Sequence, residues 1–389
     1  MIIFDLYIKV KITPPCSGLV TSPCEPSAFE LYLSGIINTT QDGESLMERS
    51  KKIDFFKAFA IITVVLGHSI QYGSGTTFST DNNLLENTVF RLIYSFHMPF
   101  FMLISGYLFF FSTQKHSFRH NLISRFTSLF VPIIFWNIIP FIQYTWHDRP
   151  HTLRYLFHSY LVTMTDNCWF LWAIFFCSLV VLLVSKFFKD NILIYLIGFL
   201  ITFFIPDSHN LFLYKFMYPY FLIGYFFNKA GIFIKLTQIK ASYRSIIGVG
   251  SGIVFVILLY FFHTTSYIYT SKYSLIGKVW TTQFGIDIYR FMIGLIGSAF
   301  FTCILSKLFL LIPDKVMNIF ASIGKKSLGI YLVSGLIFVN ILPVVTCNLH
   351  ALNYCIVLLE TIIILFISYA LTLLLSKFKL TNWLFLGGR

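Results

Sequence analysis

Residues 53–72 read IDFFKAFAIITVVLGHSIQY, a mostly apolar stretch of the length that a membrane-spanning helix needs, about 20 residues. Nine further apolar stretches follow it along the 389-residue chain, at 89–111, 127–145, 169–185, 191–206, 211–228, 245–263, 285–306, 319–342 and 352–376. The fifth and sixth of the ten are short, and Pro206, Asp207 and Asn210 separate them, which favours a tight outer hairpin. The sequence therefore predicts an all-α polytopic membrane protein with about ten transmembrane helices.

The composition excludes several classes of protein. Hydrophobic residues make up 57% of the chain and charged residues only 12%, with a mean hydropathy of +0.76. A soluble domain carries roughly 25% charged residues. The chain lacks the polar material to cover a surface in water, which excludes a soluble enzyme, a disordered protein and a nucleic-acid binder with a solvated basic face.

The positions of the basic residues predict the orientation of the spans. The chain has 29 Lys and Arg against 16 Asp and Glu, a net charge of +13. With a cytoplasmic N-terminus, 19 of the bases fall in inner segments and 5 in outer ones. Cytoplasmic loops of membrane proteins carry an excess of Lys and Arg. Both termini are therefore predicted to be cytoplasmic, and no nucleic-acid partner is needed to explain the charge.

Residues 1–46 differ from the rest of the chain. They contain several prolines and acidic residues, and they lack the basic region, apolar core and small-residue cleavage site of a signal peptide. Met47 precedes Glu48-Arg49-Ser50-Lys51-Lys52, a natural cytoplasmic start before the first span. We expect 47–389 to form the transmembrane domain, and 1–46 to be either a poorly ordered tail or an artefact of the assigned start site.

The first span carries three ionisable residues, Asp54, Lys57 and His68. Such groups cost at least a few kcal/mol inside a membrane and are candidates for a functional site. Spacings of three and eleven residues place them on nearly one face of a helix, with His68 about 16 Å deeper than Lys57. The alternative is structural: Lys57 reaches the membrane surface beside Asp54, and His68 bonds to a neighbouring backbone carbonyl.

The second span and the loop after it hold further candidates. His97 precedes Pro99, which predicts a kinked or broken helix beside an imidazole at a depth similar to that of His68. The following loop carries Lys115, Arg119 and Arg125. These bases either set the topology alone or bind a polyanion such as the phosphates of a nucleotide.

The outer side offers two weaker signals. Asp287 and Arg290, three residues apart in the eighth span, form either a buried ion pair or part of a sugar site. Trp169 lies beside an aromatic and polar outer loop, where it either stacks on a carbohydrate or belongs to the interfacial aromatic belt.

Four stretches, in order, resemble the acyltransferase 3 family of integral-membrane O-acyltransferases. Lys57-x10-His68 is similar to its Arg/Lys-x10-His signature, and Phe96-His97-Met98-Pro99 through Ser105-Gly106-Tyr107 to its "FHMP…SGY" stretch. Trp169-Phe170-Leu171 resembles its "WFL" motif, and residues 324–332, GKKSLGIYL, its late "GxxSLxIYL" motif. The resemblance covers residues 51 to about 376. One departure is Ser128, which stands where the family often has a base.

The resemblance implies an enzyme that moves an acetyl or other short acyl group from cytoplasmic acetyl-CoA to a sugar hydroxyl. It implies a bacterial inner (plasma) membrane protein that uses acyl-CoA as a substrate and needs no tightly bound cofactor or metal. The assigned catalytic residues are His68 as general base, His97 and Asp54. The residues assigned to the donor are Lys57, Arg119, Arg125, Ser105, Gly106 and Tyr107, and those assigned to the saccharide acceptor are Trp169, Asp287 and Arg290.

A transporter or flippase for polyprenol-linked saccharides is the alternative, with the buried charges serving as a relay. The absence of repeat symmetry between the halves of the sequence disfavours it, as does the concentration of ionisable residues in the first two spans.

Overall fold

The computed structural model describes residues 41–73, 82–146, 152–341 and 354–388. Contacts group Ser50–Arg389 into one compact unit, distinct from Met1–Arg49. The first helix begins at Gln41, six residues before Met47. Because residues 1–40 lie outside the described part of the chain, the expectation for residues 1–46 stays a prediction.

Helices form nearly all of the described chain, and no strand occurs in it. In order they are α1 (Gln41–Gly73), α2 (Asn82–Glu86), α3 (Thr88–Lys115), α4 (Phe118–Arg125), α5 (Val131–Trp136), α6 (Ile138–Trp146), α7 (Leu153–Asp166), α8 (Trp169–Phe188), α9 (Ile192–Thr202), α10 (Leu211–Lys229), α11 (Ile232–Gln238), α12 (Ala241–Tyr260), α13 (Ile268–Ser271), α14 (Trp280–Leu311), α15 (Asp314–Lys325), α16 (Ser327–Leu336), α17 (Tyr354–Lys377) and α18 (Lys379–Leu386). Short π-helical segments, Phe126–Phe130 and Ile337–Ile341, follow α4 and α16. The all-α prediction is confirmed.

Seven of the described helical segments are long and apolar enough to cross a membrane, and α15 with α16 forms an eighth span if this pair, bent by 64°, is counted as one. The other two of the ten predicted spans correspond to α9 and α10. With 11 residues, α9 rises only about 16 Å, roughly half of the hydrocarbon core. Helix α10 has 19 residues but includes buried polar side chains such as Lys215 and Asn228. It tolerates them because neighbouring helices, rather than lipid, cover most of its surface.

Two glycines bring the backbones of α3 and α10 into contact. A Cβ atom on Gly106 would lie 2.0 Å from the Phe221 carbonyl oxygen, and one on Gly224 would lie 2.1 Å from the Leu103 oxygen. Small residues permit such close helix crossings in membranes. Beside the crossing, Asn228 Nδ2 donates a 2.7 Å hydrogen bond to the Tyr107 oxygen. This contact fixes α3, which carries His97, against α10.

Gly106→Ala should lower the stability of the protein by about 1–3 kcal/mol, because the added carbon overpacks two backbones that cannot rotate away. Gly250→Ala is the matched control: Gly250 lies in α12 with no atom within 4 Å of its added Cβ. Since alanine favours a helix over glycine, the control should be neutral or stabilising by up to about 1 kcal/mol. The measurement is the thermal unfolding midpoint in detergent, and shifts of the same sign in both variants would contradict this account of the crossing.

The break between α15 and α16 lies against α1. A Cβ atom on Gly324 would lie 1.8 Å from the Asp54 carbonyl oxygen, so only glycine fits there. The chain then turns at Lys326 and starts α16 in a new direction, 64° from α15. This turn places Lys325, Lys326 and the side chains of α16 next to the face of α1 that carries Lys57.

Candidate functional site

Three of the cavities between the described helices border residues that the sequence predicts for the site, and we name them by the side chains that distinguish them. The lysine cavity, about 430 Å³, is lined by Lys57, Arg125, Lys325 and Lys326 among others. The histidine cavity, about 40 Å³, is lined by His68 and His97. The tryptophan cavity, about 260 Å³, is lined by Trp136 and Trp169. Tyr331 of α16 lines all three cavities, so each of them borders this side chain.

The lysine cavity combines basic groups with an apolar interior. Lys57 Nζ forms a 2.7 Å ion pair with Asp54 Oδ1, and the Arg125 guanidinium lies 4.9 Å from the centre of the Phe109 ring. Lys325 and Lys326 contribute two more positive charges from the break between α15 and α16. Four cations with one adjacent carboxylate leave a net positive charge, which suits an anionic ligand with an apolar arm.

The residues assigned to the donor divide into two groups. Lys57, Arg125 and Ser105 line the lysine cavity, and the Ser105 hydroxyl also donates a 2.9 Å hydrogen bond to the Phe101 oxygen. Gly106 and Tyr107 belong to the contact between α3 and α10, and Arg119 is exposed on α4. None of the three is among the described residues that line the lysine cavity.

The sequence does not single out Lys325 or Lys326 as site residues, yet both line the lysine cavity. Both lie inside the "GKKSLGIYL" stretch, where the sequence alone indicates only that they belong to the 19 bases of the inner segments. The available signal was their position: two adjacent lysines stand immediately before Ser327, the first residue of α16.

The His68 side chain is held by two polar neighbours. Its Nδ1 lies 3.2 Å from Gln71 Oε1, and the Tyr94 hydroxyl lies 3.5 Å from the same nitrogen and 3.4 Å from Gln71 Oε1. When Nδ1–H donates to the Gln71 oxygen, Nε2 carries a lone pair and can accept a proton. Gln71, one turn after His68, was not predicted as a site residue, although its i+3 spacing is a signal for such a pair.

His97, like His68, has a hydrogen-bond acceptor next to its Nδ1. Its Nδ1 lies 2.7 Å from the Ile93 carbonyl oxygen, which only accepts hydrogen bonds, so Nδ1 is protonated and Nε2 is the acceptor. Its ring packs edge-on against Tyr94, with the ring centres 4.8 Å apart. Tyr94 therefore contacts both histidines. Helix α3 continues through Pro99, so the predicted break does not occur there, and the kink stays a prediction.

Asp54 lies away from both histidines. It precedes His68 by 14 residues on the same helix, which corresponds to about 21 Å along the axis. Its described contacts are the ion pair with Lys57 and the backbone approach of Gly324. The structure thus brings Asp54 together with the lysine cavity, and the catalytic role assigned to it finds no support in its position.

The tryptophan cavity has an aromatic and polar lining. Besides the two tryptophans, Tyr72 and Tyr269 line it, and so do polar residues that include Asp166, Asn167 and Asn210. Asn137 is 1% exposed, and its Oδ1 accepts no hydrogen bond from a described nitrogen or oxygen. Aromatic faces with a few placed polar groups can hold a small polar ligand. His68 and Trp169 line both this cavity and the histidine cavity.

Asp287 and Arg290 form a buried ion pair outside the described linings of the three cavities. Arg290 Nη1 lies 3.2 Å from Asp287 Oδ1 and 2.9 Å from the Lys272 oxygen, and Nε lies 2.9 Å from the Ser266 oxygen. Arg290 Nη2 also bonds to the Ser271 hydroxyl. The pair therefore fastens residues 266–272, and this segment presents Tyr269 to the histidine and tryptophan cavities.

Comparison with known proteins identifies the class. Residues 50–377, most of the chain, match the acyltransferase 3 family model, which is described as an acyltransferase domain. The chain belongs to this family, which confirms the resemblance of its sequence motifs and its expected polytopic helical fold.

Two curated relatives are called Nodulation protein NolL. The one from Mesorhizobium japonicum is 28% identical over 183 residues, which are 46% of this chain and 48% of the relative. The one from Sinorhizobium fredii is 29% identical over 189 residues, 46% of this chain and 49% of the relative. The chain spans about half the length of the curated relatives it matches. No solved structure matches it.

Proposed function

We propose that the protein is a membrane O-acyltransferase that moves an acetyl or other short acyl group from cytoplasmic acyl-CoA to a hydroxyl of a cell-surface or lipid-linked sugar. Family membership supports acyl transfer in a membrane. The observation that carries the proposal is that three cavities border Tyr331, with His68 in the lining of two of them. This arrangement groups a cationic cavity, a half-buried histidine and an aromatic cavity around one side chain.

The lysine cavity is the proposed donor site. Coenzyme A carries a pyrophosphate and a 3′-phosphate, which need cations, and a long arm that ends in the thioester. Lys57, Arg125, Lys325 and Lys326 supply the cations, and residues such as Leu129, Phe170 and Ile174 supply an apolar wall. Its volume of about 430 Å³ is within the range of roughly 300–1,000 Å³ that is common for small-molecule sites.

The proposed reaction is a direct transfer. A sugar hydroxyl in the tryptophan cavity gives its proton to His68 Nε2 while its oxygen attacks the carbonyl carbon of the thioester. The new C–O ester bond forms, the C–S bond breaks, and the departing CoA thiolate takes up the proton from the His68 imidazolium. Gln71 orients His68, because the hydrogen bond at Nδ1 leaves Nε2 as the acceptor. His97 also lines the histidine cavity, and it supports this proton transfer.

A bacterial plasma membrane is the proposed location, with the lysine cavity open to the cytoplasm. The excess of bases in the predicted inner segments supports this orientation. The bacterial origin of both curated relatives supports the host class. The lipid bilayer, acyl-CoA and a saccharide are then the partners of the protein.

Lys325→Ala and Lys326→Ala should each raise the KM for acetyl-CoA about 10-fold and change kcat little. Each lysine would contact a phosphate remote from the reacting bond, and a lost charge-assisted bond costs about 1.5–3 kcal/mol. Lys315→Ala is the matched control, because Lys315 is exposed on α15. The measurement is the initial rate against acetyl-CoA concentration. Equal KM values for the two site variants and the control would remove these lysines from the donor site.

The experiment that tests the proposed function is NMR of surface polysaccharide from bacteria with and without the gene. The account predicts that O-acyl signals disappear on deletion while the amount of polysaccharide stays normal. Unchanged O-acyl signals would refute the acyltransferase, and loss of the polysaccharide itself would instead support a transporter.

A further inference from the structure

We infer that the histidine cavity holds the acyl chain during transfer and that Leu213, Met217 and Met98 limit its length. This inference rests on the proposed acyl transfer and adds its selectivity. The cavity measures about 40 Å³. One water-sized group needs roughly 10–15 Å³ of such space. The cavity therefore has room for about three non-hydrogen atoms, the number in an acetyl group.

The direction of the acyl chain follows from the bonds at the thioester carbon. The thioester sulfur must point back toward the lysine cavity, where the CoA is proposed to bind. The attacking hydroxyl must come from the tryptophan cavity. Tyr331 and His68 mark the junction where these approaches meet. The acyl group, with its carbonyl carbon and oxygen, occupies the remaining space at the junction, which is the histidine cavity, and its alkyl end points away from both approaches.

An apolar, buried wall forms part of the lining of the histidine cavity. Leu213 and Met217 are each 1% exposed and lie one turn apart on α10, so they share one face of that helix. Met98 of α3, 8% exposed, completes this part of the lining. The glycine crossing of Gly106 and Gly224 holds α3 against α10, so the wall cannot move back by separating the helices.

Replacing side chains of this wall with shorter ones should let the cavity admit longer acyl groups. Leu213→Ala and Met217→Ala each remove three non-hydrogen atoms from the lining. The space of three atoms is enough for the two carbons by which a butyryl group exceeds an acetyl group. Met102→Ala is the matched control, because Met102 is fully buried one turn beyond Met98 on the same helix but is not among the described residues of the lining.

The test uses inverted membrane vesicles from the native host, which expose the cytoplasmic face. Radiolabelled acetyl-, propionyl- or butyryl-CoA is added, and label is counted in the endogenous lipid-linked and polysaccharide fractions. Wild-type protein should transfer acetyl at least 100-fold faster than butyryl. Leu213→Ala and Met217→Ala should each raise the ratio of butyryl to acetyl transfer at least 10-fold, while Met102→Ala keeps the wild-type ratio.

The outcomes separate the two claims. Variants that still transfer acetyl but keep the wild-type ratio would overturn the inference, as would a wild type that uses butyryl and acetyl equally, and both results leave the proposed function standing. A wild type that transfers none of the three acyl groups would refute the proposed function itself. If Leu213→Ala does not accumulate in the membrane, Leu213→Val and Met217→Ala give the same comparison with smaller changes in packing.

Discussion

His68→Ala should reduce acyl transfer at least about 100-fold, because general base catalysis contributes roughly 10²–10⁴-fold to such reactions. Of the two histidines in the histidine cavity, only His68 also lines the tryptophan cavity, where the acceptor hydroxyl is proposed to bind. The readout is the initial rate of label transfer from acetyl-CoA in inverted vesicles, at saturating acetyl-CoA and equal protein. The KM for acetyl-CoA should change little, since the proposed phosphate-binding side chains remain.

His120→Ala is the matched control for the loss of an imidazole, because His120 is exposed on α4. Gln71→Leu tests the positioning of the base: it removes the acceptor at Nδ1 and should lower kcat while leaving KM unchanged. Transfer by His68→Ala within about threefold of the wild-type rate would refute the assignment of His68 as the base.

Arg290→Met should lower the free energy of unfolding by about 3–5 kcal/mol, the usual cost of removing one partner of a buried ion pair. Asp287 would remain as a buried charge, the Ser266 oxygen would lose the Arg290 donor, and the Lys272 oxygen would keep only the hydrogen bond from Gln283 Nε2. The released segment would expose the peptide bond after Lys272 to trypsin. Because this segment carries Tyr269 into the site, transfer should also fall in protein that remains folded.

Two measurements check the Arg290 prediction in detergent solution: the thermal unfolding midpoint and the rate of tryptic cleavage at Lys272. Arg154→Met is the control, because Arg154 is exposed. The double variant Asp287→Asn/Arg290→Met removes the unpaired charge and should recover part of the lost stability. If Arg290→Met is as stable and as protease-resistant as Arg154→Met, then the ion pair does not hold this segment in place.

The helical fold was predictable because helices that cross lipid need long apolar stretches, and such stretches can be recognised in the amino-acid sequence. The family was predictable because its motifs, such as Lys57-x10-His68, are local in sequence. The number of spans was less predictable, because α10 is surrounded by protein and keeps polar residues such as Lys215 that lipid would disfavour.

The contacts that define the site were not predictable where they join distant parts of the chain. Gly106 contacts Phe221, 115 residues later, so its sequence context suggested a donor site while its structural role is a helix crossing. Arg119 and Arg125 are six residues apart, which turns their side chains about 240° from each other on a helix. Only Arg125 is among the described residues that line the lysine cavity.

The most direct test of the central claim uses purified protein in sealed liposomes that contain lipid-linked saccharide from the native host. Acetyl-CoA labelled in the acetyl group is added to the face that carries the lysine cavity. The account predicts that label enters the saccharide in an alkali-labile ester with wild-type protein and that His68→Ala leaves the saccharide unlabelled. Saccharide that stays unlabelled with the wild-type protein, or that is labelled equally by both proteins, would contradict it.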